Sequence, residues 1–260
     1  MNNLIIILVM IFSYKFFSIQ SIPVSNTEKF LKNNPNITDE KHGIRMGQVL
    51  PECDDAKTDL DIDWNGSPIN YTCYHRIPYG IDTGIDSIVE CEKLSPDYMP
   101  QHFCIKDRID YSNHSSLPTY GDHRPLWPIF GEYRFIPPQR WLHNVEHGAI
   151  IMIYHPCAHP MMVDKLQKLV RNCIRKHVIT PDSYRLDHKR PLALIAWGCR
   201  LRMNYVDSHE IVNFIRKHAL HGPEGKLPKE GQYDAHLLRK AEIPIGSNFD
   251  DDILCPFSFR

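Results

Sequence analysis

The chain has 260 residues, with 30 Lys and Arg against 31 Asp and Glu, a net charge of −1 and a pI near 6.9. Such a balance excludes the strongly basic surface that nucleic acid or an anionic membrane requires, so neither is an expected partner. At 42% hydrophobic residues the length allows one sizeable core or two small ones.

Residues 1–21 read as a secretory signal peptide. Leu4 to Phe12 is an unbroken apolar run, too short to span a bilayer, which needs about 20 apolar residues. Lys15 keeps it from extending into a longer segment, and Ser18 and Ser21 offer cleavage points. No later apolar run approaches spanning length, and the end at Arg260 carries neither a GPI-type tail nor a retrieval signal. The expected product is secreted or luminal, without a transmembrane segment in the mature chain.

Two features agree with that compartment. Eight cysteines follow the leader: Cys53, Cys73, Cys91, Cys104, Cys157, Cys173, Cys199 and Cys255. None is spaced Cys-x-x-Cys, so structural disulfides are expected, and the spacing leaves their pairing open. Cys157 and Cys199 each end an expected buried strand, which makes a bridge between them one candidate. Four Asn-x-Ser/Thr sequons, at Asn36, Asn65, Asn70 and Asn113, mark glycosylation of the N-terminal half.

In chain order, residues 22–50 are polar and read as a flexible lead-in. Residues 51–114 are loop-rich and hold four cysteines, a segment that needs disulfide staples to order it. An α/β core is expected over 115–225. It opens with a Pro- and Gly-crowded loop to Pro138, followed by a strand from Ala149 to Tyr154. Next comes a helix with Pro160 in its first turn and Met162, Leu166, Leu169, Val170 and Cys173 at helical spacing. A second buried strand runs from Leu192 to Trp197. The last helix begins at a capping box, Asp207-Ser-His-Glu210, and is expected to end at Gly222-Pro223. Residues 226–260 form a tail tied by Cys255, with Asp250-Asp-Asp252 as a solvated acidic run. The fold class is α+β: one mixed sheet carrying at least two helices, preceded by a disulfide-rich, loop-rich segment.

Chemistry concentrates in Trp141-Leu-His143-Asn-Val-Glu146-His147-Gly148. As His-x-x-Glu-His it matches the inverted zinc-peptidase signature. Residues four apart share a helical face and can chelate one ion, whereas in a strand they lie about 13 Å apart. Gly148 and the strand beyond it argue against the long helix of a peptidase. A different centre is expected from His123, His143 and His147, binding zinc or copper, with Glu146 in the outer shell or as acid/base. The alternative is that these rings only hydrogen-bond loops and pack on Trp127 and Trp141. His155 and His159 are weaker candidates, because Pro156 and Pro160 bar a regular helix between them.

The stretch from Pro137 to Cys157 resembles the animal p53-inducible protein 13 family. So do Ile179-Thr-Pro181, Arg190 to Cys199, Asp207, Phe214-Ile-Arg and Gly222-Pro-Glu224, together covering about 115–225. The same core is similar to an uncharacterised bacterial domain with His-x-x-Glu-His-Gly and Ala-Trp-Gly motifs. These fall at His143–Gly148 and Ala196–Gly198, and the upstream glycine and histidine at Gly121 and His123. Tyr120 stands where the bacterial pattern has serine. The resemblance implies a link to restraint of cell growth and transfers no catalytic residue. Membrane segments of vertebrate members lie beyond the shared core.

Two readings of function follow. The first is a secreted or luminal glycoprotein with a non-catalytic binding or regulatory role and an unknown extracellular or luminal partner. The second is a zinc- or copper-binding protein or metal-dependent enzyme at His123, His143 and His147. A pH-responsive role, resting only on the 15 histidines, ranks last.

Overall fold

The structure, a computed structural model, describes residues 25–111, 117–227 and 229–256. The expected signal peptide and the Asn113 sequon lie outside the described residues.

The N-terminal segment is organised by short elements and staples. Helix α1 (Asn26–Asn33) starts at a capping box in which Ser25 and Glu28 each bond the other's backbone. Strands β1 (Thr38–Asp39) and β2 (Gly43–Ile44) form a small hairpin. Phe30, Leu31, Ile44 and Leu50 pack on the bridge between Cys53 and Cys104. This side chain cluster orders residues 25–50 against the rest of the molecule.

One seven-stranded mixed sheet forms the centre, in the order β3-β8-β7-β5-β6-β4-β9. Its strands are β3 (Ile88–Cys91), β4 (Gly131–Tyr133), β5 (Ile150–Tyr154), β6 (His177–Pro181), β7 (Leu192–Ala196), β8 (Cys199–Met203) and β9 (Leu237–Lys240). β6 runs parallel to β5 and β4, and the other pairings are antiparallel. Alternate side chains of β5 feed opposite cores, since successive residues of a strand point to opposite faces. Ile150 and Met152 join α3 (Pro160–Cys173) and α4 (Ser208–His218). Ile151 and Ile153 join α2 (Pro138–Glu146), through Trp141, Leu142 and Val145. The fold is therefore α+β with helices on both faces of the sheet.

Four bridges close the molecule: Cys53–Cys104, Cys73–Cys157, Cys91–Cys199 and Cys173–Cys255. They link residues 51 to 108 apart. Chain entropy alone values each, taken singly, at roughly 4–5 kcal/mol. The expected bridge between Cys157 and Cys199 does not form. β5 and β7 are adjacent and antiparallel, with Tyr154 opposite Leu192, so the two cysteines follow strand ends that point in opposite directions. Cys199 instead faces Cys91 across the β3–β8 ladder.

Three local expectations differ from the structure. Asp207 caps α4 by accepting from the Glu210 backbone, but the Glu210 carboxylate accepts from Ser87 Oγ rather than reaching back. α4 ends at His218, before Gly222, with Leu220 in the left-handed region at φ 64°. Asp251 is fully buried, not solvated, because its carboxylate accepts from the Arg175 and Lys176 amides just beyond α3.

Candidate metal centre

α2 begins with Pro138 at its first turn, a position where the missing amide costs nothing, and places His143 and Glu146 on its last turn. His147 caps the helix, and Gly148 turns the chain into β5 at φ 77°. A side chain at Gly148 would meet the Leu220 backbone at 2.6 Å, so glycine permits both the turn and the close approach. Gly222 approaches just as closely to the Glu146 carbonyl, and Glu224 N donates to that same carbonyl at 3.1 Å. The loop after α4 is thereby fixed against the end of α2.

Five imidazoles converge there. His42 stacks on His102, His102 on His143, and His143 on His147, with ring centres 4.8 Å apart at each step. His123 tilts against His143 at 4.5 Å, and Trp127 covers His143 and His147. Every one of the five is at most 2% exposed.

The orientation of the rings is set by the backbone. Nδ1 donates to Pro100 O in His42, Ile44 O in His102, Gly121 O in His123 and Arg124 O in His143, at 2.6–2.9 Å. In a neutral ring this fixes the tautomer and leaves Nε2 as a lone-pair donor, as second-shell carbonyls do in metal sites. The Nε2 atoms of His102, His123 and His143 have no hydrogen-bond partner, and neither has either oxygen of Glu146, whereas His42 Nε2 faces Glu224 Oε1 at 3.5 Å. His123 Nε2 lies 3.2 Å from Glu146 Oε2, both side chains at zero exposure. Two electron-rich atoms opposed at that distance, away from water, call for a proton or a metal cation between or beside them.

Two donor groups result. His102, His123, His143 and Glu146 have one ligand atom each within 4.8 Å of one another, all buried. His143, His147 and Glu224 form an adjoining group, with Glu224 half-buried at its outer side. The expected trio is thus divided. His123 and His143 come together, Glu146 stands among the donors, and His147 shares His143 with Glu224. A third grouping, Cys91 and Cys199 near His218, is closed by the disulfide.

Arginines buried beside the centre brace it. Arg124 makes two bonds to Asp63 and donates to the Phe103 and Cys104 carbonyls next to His102. Arg140, one turn before His143, makes two bonds to Asp54.

Burial holds His102 and His143 well below the ordinary histidine value, helped chiefly by the charge His123 would carry. Burial likewise holds His147 down to about 4, against the pull of Glu224. His42 moves the other way: burial opposes its charge, but Glu224, the Pro100 carbonyl and Glu146 outweigh it and push the ring up to about 9. Away from the centre, burial lowers His177 to about 4.

These depressed rings make the metal-free protein acid-sensitive. Unfolded rings take protons below about pH 6.5 that the folded rings refuse, so stability falls with pH there. His42 acts in the opposite sense, gaining stability as the pH falls from about 9 to 6.5 and little more below that. Between pH 6.5 and 5.5, where His42 is nearly spent, we expect a loss of roughly 1 kcal/mol per depressed ring, read as a lowered urea midpoint. An unchanged midpoint would refute it.

The other marked residues have local roles. His155 Nδ1 accepts from Cys157 N, and His159 caps α3 by accepting from Met161 N. Asn36 and Asn65 are exposed, whereas Asn70 is buried and accepts from the Trp64 indole. Sequence reasoning missed His42 and His102, which sit in segments without periodicity, and gave Glu224 no role. The isolated pairing of His102 beside His123 that brings the segments together leaves no local signature.

The chain is 30% identical over 95 residues to Tumor protein p53-inducible protein 13 of Mus musculus, and 34% over 95 residues to that of Rattus norvegicus. Each match covers 35% of this chain and 24% of the relative, so the chain spans about a quarter of the curated relatives it matches. No solved structure matches it significantly. A model of a family described as "Protein of unknown function (DUF3105)" matches residues 102–231, from the first buried histidine of the inner donor group past Glu224. That match takes in half of the chain, which therefore belongs to the DUF3105 family.

Proposed function

We propose that the protein is a secreted or luminal binder of zinc or copper, holding one ion at His102, His123, His143 and Glu146. The observation that carries this reading is the set of buried Nε2 and carboxylate atoms without partners, each ring locked from behind by a carbonyl. Three imidazoles and a carboxylate suit these metals. The separation of His123 Nε2 and Glu146 Oε2, 3.2 Å, already approaches the roughly 3.4 Å between donors of a tetrahedral zinc site. Four protein donors complete a tetrahedron and leave no open position, so the centre suits binding rather than hydrolysis. Glu146 is then a ligand, not an acid/base.

The compartment is part of the proposal. Four disulfides fit an oxidising setting, and no described helix is long and apolar enough to cross a membrane. Glycans are placed at Asn36 and Asn65, whose side chains reach solvent.

The test is metal content. The protein is secreted from eukaryotic cells, purified without chelator or His-tag, and compared by elemental mass spectrometry with His102→Ala/His123→Ala. About one equivalent of zinc or copper, lost in the variant, is expected. A wild type that holds no metal after reconstitution overturns the reading.

A further inference from the structure

The inner donors are sealed: His102, His123, His143 and Glu146 are at most 1% exposed. An ion must therefore reach them by way of some other group. His147 and Glu224 stand beside His143, and their ligand atoms lie within the same 4.8 Å as its own. Glu224 is the member of this second group that meets solvent, its side chain 17% exposed. His147 has both nitrogens without a hydrogen-bond partner, with Nδ1 3.6 Å from Glu224 Oε2. Burial thus increases from Glu224 to His147 to His143, and donors line the way without a gap.

Resting on the metal reading above, we propose that Glu224 and His147 form an outer, transient metal position through which the ion passes to the inner site, with His143 as the shared ligand. The Nδ1 of His143 is committed to Arg124 O, so the ring has one free donor, Nε2. One nitrogen binds one ion, so the two positions cannot both use His143 at once. Transfer then needs only ligand exchange about this ring: Glu224 and His147 let go as His102, His123 and Glu146 take hold. Glu224 lies at the mouth and Glu146 at the end, with His42 3.5 Å from the first and 3.9 Å from the second, so an incoming cation takes over the carboxylates that His42 holds. Gly222 and the Glu224 amide hold the outer carboxylate's backbone against Glu146, so the two positions are kept in register.

The experiment follows loading of the metal-free full chain with Co²⁺ by stopped-flow absorbance, and release to excess chelator. Glu224→Gln is expected to slow loading by at least about tenfold, the low end of what focused charge contributes to association. Release slows by the same factor, because a shared route is used in both directions. Glu224→Asp keeps the charge and recovers most of the rate. Unchanged rates in Glu224→Gln would overturn the proposal. So would two equivalents in the wild type against one in the variant, since that marks a permanent second site. A wild type that takes up no cobalt, zinc or copper overturns the metal reading itself, and the relay falls with it.

Discussion

Stripping the metal with a strong chelator should lower the unfolding temperature of the wild type by about 10 °C, and that of His143→Ala by at most about a third as much. A ligand bound to the folded state alone stabilises it by about 4 kcal/mol when present at a thousand times its dissociation constant. For a domain of this length each kcal/mol shifts the midpoint by about 2–4 °C. His143 is the ring on which the effect depends, since it touches His102, His123, His147 and Trp127 and belongs to both donor groups. Losing a mere outer-shell partner costs up to about 100-fold in metal affinity, and losing this ligand should cost at least that. Each variant is compared with itself, loaded and stripped, so any packing defect from the shortened side chain cancels. A wild type whose midpoint ignores the chelator would sink the prediction.

The core was legible where pattern and burial coincide. β5 and β7 are continuous apolar runs because both their faces are covered, and the amphipathic spacing of α3 matches its single buried face. β8 was hidden for the opposite reason. Arg200 and Arg202 alternate with Leu201 and Met203, and they are accommodated by Glu90 and Glu92 from the region of β3 across the ladder. No property of β8 alone reveals those partners. β4 and β9 are short and obtain their identity from pairing with each other.

The centre was half legible. His143 and Glu146 are three apart, so the helix that was uncertain from sequence brings them to one face. His123 could be named because it lies in the Pro- and Gly-rich loop just upstream of α2 and matches the glycine–histidine step of the bacterial pattern. His42 and His102 are delivered by segments whose conformation depends on a disulfide, a two-residue hairpin and buried ion pairs, all of them long-range. A sequence read locally registers such histidines as surface residues.

Those ion pairs carry the second large effect: Asp54→Ala should destabilise the protein by about 3–5 kcal/mol in urea denaturation. Asp54 and Arg140 are each 1% exposed and joined by bonds of 2.6 and 2.9 Å. Removing the carboxylate leaves a buried guanidinium with Leu126 O at 3.0 Å, the face of Tyr233, and the Asp63 carboxylate 4.0 Å away and already bonded to Arg124. An uncompensated buried charge costs about that much. The loss is a large share of the roughly 5–15 kcal/mol that a domain possesses. Replacing both residues separates the charge from the packing. Asp54→Ala/Arg140→Met removes the stranded cation and fills its space with an apolar chain, so it should be more stable than Asp54→Ala alone. If the single variant loses less than about 1 kcal/mol, the pair is no brace. If the double variant is the less stable of the two, the cost lies in lost contacts of Arg140 rather than in its charge. Because Asp54 follows Cys53, and Arg140 precedes His143 on α2, this pair ties the stapled N-terminal segment to the helix that carries the metal ligands. Asp54→Ala should therefore also weaken metal binding, although neither partner touches the ion, and the double variant should restore part of it.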